Sequence, residues 1–174
     1  MGLTVRVNLG FRDGFIGNDE NHTLQVIEVI RRFQPDIIFT NPFEDRHPDH
    51  GRAGKLANDA AFLSGLPKIV TSGYNAWRPK RIFHYIMGTP HKPDFIVDIT
   101  KFWDKKRYVL ESYESQFKSA KYAHEPETAL TRDGFWEYLE GRDRILGSLL
   151  GATFSEGFIS PQVLKISDIM DLSN

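Results

Sequence analysis

Residues 20–40 limit the fold more than any other stretch. They contain a helix pattern and a short apolar run, and a proline separates the two. In "ENHTLQVIEVIRRF" the apolar residues recur at the spacing of one helix face, and Asn18 or Asp19 can cap the first turn. After Pro35, the run "DIIFT" is nearly continuous in apolar residues, which is typical of a strand buried on both faces of a parallel sheet. A helix that leads into such a strand predicts an α/β fold.

The same periodicities predict the remaining elements. "GLTVRVNLG" alternates apolar and polar residues, which predicts a first strand and completes a strand–helix–strand unit. A second helix is predicted over roughly residues 51–64. Downstream we predict strands at "KRIFHYIM", "PDFIVDI" and "QVLKI", helices at "KFWDKKRYVLESYESQF" and "RDGFWEYLEGRDRILGSLLG", and a polar loop at "KSAKYAHEPETALT". The predicted architecture is a single domain over residues 1–174, a Rossmann-like, mostly parallel sheet with helices on both faces.

Composition excludes several classes of function. The chain has 174 residues, a formal net charge of −1 and no cysteine. Without cysteine there is no disulfide framework, no thiol nucleophile and no thiolate metal site. The near-zero charge gives no field that would attract nucleic acid or an anionic membrane, and no apolar run approaches the roughly 18 residues of a membrane span. We therefore predict a cytoplasmic protein that binds neither nucleic acid nor membrane.

The stretch "RHPDH" holds the residues best suited to chemistry. His47 and His50 follow the strand "DIIFT" and precede a helix, and open α/β sheets bind their ligands at the carboxyl ends of such strands. Neutral imidazole is a common zinc ligand, and a nearby carboxylate can orient it. Asp45 and Asp49 are the candidates for that orienting role. The pattern predicts a two-histidine site at the start of the second helix.

From the residues alone, this site is incomplete and has a plain alternative. Catalytic zinc normally takes three protein ligands, and the remaining histidines show no local ligand pattern. The alternative is a polar surface loop, because such loops often contain histidine and aspartate residues that only face water. Arg12 and Asp13 in "FRDG" could reach a substrate, although a loop turn explains them equally well.

The stretch "EDRHPDHGRAGKLANDAAF" resembles the second signature of the LmbE-like (PIG-L) zinc deacetylases. The likeness continues in order through "NLGFRDGF", "AWRPKRIFHYI", "HKPDFIVDIT", "LESYESQF" and "SEGF". Within that superfamily the chain is similar to the deacetylases of bacillithiol biosynthesis, which remove acetate from N-acetylglucosaminyl-malate. The resemblance implies an enzyme, a metal-dependent amide hydrolase of a small amino-sugar substrate, and relatives of this kind often form homo-oligomers.

The resemblance also implies roles for individual residues. His50 would be a zinc ligand, and His47 would stabilise the oxyanion of the tetrahedral intermediate. Asp49 would hydrogen-bond an imidazole and hold His47 in its charged form. Arg81 matches an arginine that borders the family's active site and influences its catalytic carboxylate. The candidates for substrate binding are Arg12, Asp13 and Arg46.

In the family, zinc is completed by the histidine and the second aspartate of an Ala-His-Pro-Asp-Asp motif, whose first aspartate is the general base. These 174 residues do not contain that motif. We therefore expect the chain to start after the family's first βα units, roughly 60 residues judged from the size of a βαβ motif. Two of the three zinc ligands would then lie in the missing segment, and the chain as given would bind zinc weakly and be inactive.

Three functions remain open at this point. The first is zinc-dependent hydrolysis of the N-acetyl group of an N-acetylglucosamine conjugate. The second is a non-catalytic, truncated remnant that acts as a sugar-binding or interaction module. The third is a generic α/β sugar- or nucleotide-binding domain, for which we find no phosphate-binding loop.

Overall fold

A computed structural model describes residues 2–114, 116–117, 124 and 127–172. Its elements in chain order are α1 (Glu20–Phe33), β1 (Ile37–Thr40), α2 (Pro48–Leu63), β2 (Arg81–Tyr85), β3 (Phe95–Asp98), α3 (Trp103–Glu111), α4 (Phe135–Ser148) and β4 (Ser155–Ile159), with 3-10 turns at Thr100–Phe102 and Ile169–Leu172. The strands form one sheet in the order β1-β2-β4-β3. β1 and β2 run parallel, and β2 and β4 run antiparallel. The α/β class is confirmed, with a mixed sheet.

Helix α1 forms as the sequence predicts, because both of its ends are capped. The side chain of Asp19 accepts a hydrogen bond from the backbone N–H of His22 at 3.1 Å. At the other end Gln34 takes the left-handed conformation (φ 46°) and donates its N–H to Ile30 O at 2.8 Å. The polar residue before the helix and the residue before Pro35 therefore set its length.

The segment β1–α2–β2 is the parallel strand–helix–strand unit of this fold. Helix α2 begins at Pro48, before the predicted residue 51, because His47 caps it and proline suits a first helical position. α1 and α2 pack together over one face of the sheet, where burial of apolar surface stabilises the unit. The core of this packing consists of Ile27, Ile30, Ala60, Ala61 and Ile82.

Contacts divide the chain into two compact units. One comprises Val7–Phe95 with Phe158–Asn174, and the other comprises Met1–Arg6 with Ile96–Gly157. The second unit has its own core, in which Trp103 stacks on Phe154 and both pack with Leu139. In the same unit Lys106 pairs with the fully buried Asp143 and with Glu156, at 2.5 Å in each case. The prediction of a single domain over residues 1–174 stays a prediction. In the part of the chain that the structure describes, no helix is long and apolar enough to cross a membrane.

Three local predictions differ from the structure. Residues 2–9 form no strand, and Leu3, Val5 and Val7 are 64%, 53% and 44% exposed, because the alternating pattern finds no neighbouring strand. "QVLKI" is irregular, whereas β4 lies just before it in a stretch where Ser155 and Gly157 occupy the buried positions and hide the apolar alternation. α3 ends at Glu111, earlier than predicted. Residues 118–123 and 125–126 of the predicted polar loop lie outside the described residues.

The close approach of α2 to the loop after β1 gives a stability prediction. A Cβ at Gly54 would lie 2.5 Å from both Asn41 O and Pro42 O, which are backbone atoms with little freedom to move. We expect Gly54→Ala to destabilise the protein by about 1–3 kcal/mol, measured by urea unfolding. The matched control is Gly141→Ala in α4, where no described atom lies within 4 Å of the added Cβ. This control should be about 0.5–1 kcal/mol more stable than the parent, and equal stability of the two variants would contradict the prediction.

Candidate functional site

The loop that leads from β1 into α2 is fixed to β2 by side chains of two adjacent residues. His84 Nδ1 lies 2.5 Å from Asn41 O, and the Tyr85 hydroxyl donates to Asn41 Oδ1 at 3.0 Å. The His84 ring also packs against Phe43, with ring centroids 4.1 Å apart. Because a carbonyl can only accept, Nδ1 of His84 carries the proton. These contacts hold the start of the loop and set the path of residues 44–47.

Asp45 orients His50 in the next part of the loop. Its Oδ2 lies 2.7 Å from His50 Nδ1, while its Oδ1 accepts from Thr89 N at 2.9 Å, Thr89 Oγ1 at 3.0 Å and Arg46 N at 2.7 Å. The Asp45 side chain is 1% exposed and that of His50 is 33% exposed. With Nδ1–H bound to the carboxylate, Nε2 of His50 presents its lone pair, which is the arrangement of a carboxylate–histidine–metal triad.

The same contacts shift the acidity of Asp45. Burial by itself would raise its pKa, but hydrogen bonds from His50, Arg46 and Thr89 outweigh this effect and lower the pKa to about 2. The carboxylate therefore stays ionised at neutral pH, and it keeps the proton of His50 on Nδ1.

The lowered pKa predicts acid sensitivity. In the unfolded chain the pKa of Asp45 has its ordinary value of 3.8, whereas in the folded chain the pKa is about 2. The stabilisation is thus complete above pH 4 and is lost as the pH falls from about 4 to about 2, by about 2 kcal/mol. We expect the free energy of unfolding in urea to depend less on pH over this range in Asp45→Asn than in the parent. The exposed Asp36, replaced in Asp36→Asn, serves as the control and should leave the slope in place; an unchanged slope in Asp45→Asn would contradict the prediction.

His47 is the N-cap of α2. Its Nδ1 accepts the backbone N–H of Asp49 at 3.2 Å, so the ring proton lies on Nε2. The rings of His47 and His50 lie 5.1 Å apart between centroids. The two imidazoles therefore present different groups, an N–H on His47 and a lone pair on His50. Together they offer a hydrogen-bond donor beside a nitrogen lone pair.

Asp49 has a different partner set from the expected one. Its carboxylate accepts from Gly14 N at 2.6 Å, Ile16 N at 3.2 Å and Arg52 Nη1 at 3.3 Å. Burial would raise its pKa, but these donors outweigh that effect and lower it. Among the described residues this carboxylate makes no hydrogen bond to an imidazole, whereas the backbone N–H of Asp49 donates to His47. The charge of His47 is one of the causes that lower the pKa of Asp49, and the expectation that Asp49 holds His47 in its charged form stays a prediction. Asp49 fixes the 12–16 loop to the start of α2.

The predicted substrate-binding residues lie on the segments that flank the histidines. Arg12 and Asp13 belong to the loop that Asp49 holds, and the Arg12 guanidinium lies 4.2 Å from the centre of the Phe15 ring. Arg46 is exposed and precedes His47 directly. Substrate binding by these three residues stays a prediction.

The structure does not bring Arg81 to the histidines. Arg81 opens β2 and pairs with Ile37 at the start of β1, whereas the histidines follow the end of β1. The rise of a strand separates those two ends by about 10 Å. The guanidinium of Arg81 donates to Gln162 Oε1 at 3.2 Å and to Lys80 O at 3.4 Å. These contacts do not support the predicted role of Arg81 at the catalytic centre.

The sequence marks Asp45 only as one of two orienting candidates and gives no sign of Thr89. Thr89 lies 44 residues from Asp45 in a turn after β2, and no local pattern marks it. His84 lies in the sheet, on the predicted strand, and it is fully buried there. Within the described residues its Nε2 has no hydrogen-bond partner, and burial lowers the pKa of the ring.

A metal needs more ligands than this site provides. Among the described residues no group of three or more histidine, cysteine, aspartate or glutamate side chains could hold a metal ion. His50 fits as one ligand, because its Nδ1 is anchored and its Nε2 is available. The described residues therefore do not form a complete metal site by themselves.

Comparisons with known proteins decide the family. The sequence model described as PIG-L, GlcNAc-PI de-N-acetylase, matches residues 1–61, which include His47 and His50. The crystal structure of the conserved protein TT1542 from Thermus thermophilus is similar to this chain with a TM-score of 0.82 and 34% identity, over 95% of this chain and 70% of that one. The chain belongs to the PIG-L family.

Other proteins similar to this chain are named for their activity. The diacetylchitobiose deacetylase of Thermococcus kodakarensis is 32% identical over 139 residues, which are 76% of this chain and 48% of that protein. The N,N'-diacetylchitobiose deacetylase of Pyrococcus horikoshii has a TM-score of 0.67 and 27% identity, over 94% of this chain and 60% of that one. The chain thus spans about half the length of the Thermococcus relative. GalB, the 4-carboxy-2-hydroxymuconate hydratase of Pseudomonas putida, shares the fold at 20% identity and a TM-score of 0.67.

Proposed function

We propose that this PIG-L chain carries the two-histidine half of an N-deacetylase centre that hydrolyses the N-acetyl group of an amino sugar. The observation that carries the proposal is the pairing of Asp45 with His50 at 2.7 Å, which leaves Nε2 available beside the N–H of His47. The deacetylase names of the Thermococcus and Pyrococcus relatives support the reaction class.

The two histidines have distinct roles in this proposal. His50 is one ligand of a catalytic metal, which we propose to be zinc, and such a metal polarises an amide carbonyl and activates water. His47 donates its Nε2–H to the oxygen that becomes negative when the amide carbon turns tetrahedral. The positive end of the α2 dipole favours the same charge. Asp45 and Asp49 act by position, since one orients His50 and the other holds the 12–16 loop.

The other metal ligands and the general base are proposed to come from an Ala-His-Pro-Asp-Asp segment, which the 174 residues do not contain. The competing proposal is a non-catalytic sugar-binding or interaction module. The genomic DNA upstream of codon 1 separates the two, because an in-frame Ala-His-Pro-Asp-Asp supports the enzyme and an upstream stop codon supports the module.

The substrate class of this proposal is a small N-acetylated amino sugar. N-acetylglucosaminyl-malate and N,N'-diacetylchitobiose both carry the acetamide that the centre would attack, and the relatives' names favour the second. A cytoplasmic location and a homo-oligomeric state remain predictions.

Zinc titration tests the metal part of the proposal. We expect the chain to bind zinc weakly, His50→Ala to abolish this binding, and Asp45→Asn to weaken it by about 10- to 100-fold, because the anchor of the ligand is lost. The matched control is His22→Ala, which removes another histidine that pairs with a carboxylate, Asp19, at 2.5 Å on an exposed helix. Stoichiometric zinc that survives His50→Ala would contradict the proposal.

Acetate release tests the reaction. We would join a segment bearing Ala-His-Pro-Asp-Asp to residue 2 and assay both substrates with zinc by proton NMR. We expect acetate from the joined protein and none from the 174-residue chain. A folded, zinc-loaded joined protein that releases no acetate from either substrate would overturn the proposed function. Turnover by the 174-residue chain alone would overturn the proposal that the other metal ligands and the general base come from a separate segment.

A further inference from the structure

A cavity of about 400 Å³ lies at the other end of α2 from the histidines. Its walls come from the last turns of α2, the segment that enters β2, and Gln162. α2 has 16 residues and is therefore about 24 Å long, which places this cavity roughly 20 Å from His47. It is a separate site and does not depend on the proposed deacetylase centre. Its volume is within the range of small-molecule pockets.

Two arginines in the wall lack acidic partners. Arg78 donates to Phe62 O at 2.9 Å and lies 4.4 Å from the centre of that ring, while Arg81 donates to Gln162 Oε1 and Lys80 O. Within the described residues neither guanidinium has a carboxylate partner. Each guanidinium has five N–H donors, and these protein acceptors use only some of them. The unused donors favour a bound anion.

Two acids beside this wall already have partners. The carboxylate of Asp36 pairs with Lys80 at 2.9 Å, so it does not neutralise Arg81. Asp59 also lines the cavity, and its Oδ2 accepts from Asn18 Nδ2 at 2.7 Å. The cavity therefore combines two positive charges with one negative charge.

The remaining wall suits hydroxyl groups and a carbon skeleton. Asn58 and Gln162 contribute carboxamides, Asp59 contributes an acceptor, and Leu63 and Ile82 contribute apolar surface. Carboxamide and carboxylate groups hydrogen-bond hydroxyls, while guanidinium groups bind phosphate or carboxylate in a bidentate manner. We propose that this cavity binds a small hydroxylated anion, a sugar phosphate or a sugar acid, through Arg78 and Arg81.

Titration of the full chain with defined probes tests this proposal. Glucose 6-phosphate and glucuronate represent the phosphate and carboxylate arms, glucose lacks the charge, and inorganic phosphate lacks the hydroxylated skeleton. Binding is followed by the side-chain Nε–H signals of arginine in ¹⁵N-labelled protein. We expect saturable binding of at least one sugar anion, weaker binding of inorganic phosphate, and no binding of glucose. Added salt should weaken the interaction because the site is open to solvent.

Variants locate the site. Arg78→Gln and Arg81→Gln should each weaken sugar-anion binding by about tenfold or more, because each removes a charged hydrogen-bond donor. Arg32→Gln is the matched control, since Arg32 is an exposed arginine of α1 outside the cavity. Circular dichroism and urea unfolding confirm that each variant is folded, and Gln162→Ala tests the cavity without a change of charge. No saturable binding of either anion, equal binding of inorganic phosphate and sugar phosphate, or equal losses in Arg32→Gln and the cavity variants would overturn the proposal.

Discussion

Replacing Arg31 by methionine is expected to destabilise the protein by about 3–5 kcal/mol. Arg31 is only 2% exposed, and its guanidinium donates several hydrogen bonds to the segment that follows α2. It donates to Ser64 O at 3.0 Å, Leu66 O at 2.9 Å and Ile69 O at 2.7 Å. Methionine fills similar volume but removes all three donors, so that Ser64 O and Leu66 O keep only the backbone N–H groups of Trp77 and Ile69. Each lost hydrogen bond from a charged donor costs about 1.5–3 kcal/mol.

The adjacent residue provides the control for this experiment. Arg32 is exposed on the same helix, with its guanidinium 5.1 Å from the centre of the Phe33 ring, and Arg32→Met should change stability by less than about 0.5 kcal/mol. Urea unfolding followed by circular dichroism measures both variants. Similar free energies of unfolding for Arg31→Met and Arg32→Met would show that the segment after α2 does not depend on the buried guanidinium.

In the joined, zinc-competent protein, His47→Asn is expected to lower kcat by about 10²- to 10³-fold. Asparagine keeps the N-cap of α2, so the helix should remain intact. Its amide stands at the level of Nδ1 and does not reach the position of Nε2, from which His47 would donate to the oxyanion. The loss should therefore fall on the transition state and leave KM nearly unchanged.

Two measurements distinguish this catalytic effect from damage to the site. Zinc affinity should be unchanged in His47→Asn, because His50 and its partner Asp45 are untouched. His22→Asn removes a histidine of α1 that pairs with Asp19 and makes no contact with His47 or His50 among the described residues, and it should retain full kcat. A His47→Asn protein with parental kcat would exclude His47 as the oxyanion donor.

Local sequence patterns predicted the elements whose determinants are close in the chain. α1 and its Asp19 cap follow from the residues at its own ends, and β1 follows from a short apolar run between prolines. The stretch 2–9 shows the limit of such patterns, because alternation makes a strand only when a neighbouring strand is available to pair with it. β4 was missed for the converse reason, since its buried positions include serine and glycine.

At the site, the sequence located the chemistry and the tertiary structure assigned the partners. "RHPDH" identified both histidines and, by resemblance, the PIG-L family, because that information lies in adjacent residues. Which aspartate serves which group depended on residues far along the chain. Asp45 is anchored by Thr89, 44 residues away, and Asp49 is bound by Gly14, 35 residues away.

The sequence by itself therefore determined the α/β class, the ends of α1 and the two-histidine signature, and the last two depend on interactions within a few residues. Only the tertiary structure decided that Asp45 orients His50, that Asp49 fixes the 12–16 loop, and that Arg81 lines a separate cavity. The physical reason is that hydrogen-bond partners are chosen by the path of the chain in space. The path of the chain depends on the whole fold and not on neighbouring residues alone. The sequence therefore does not show whether Asp45 or the adjacent Asp49 hydrogen-bonds His50.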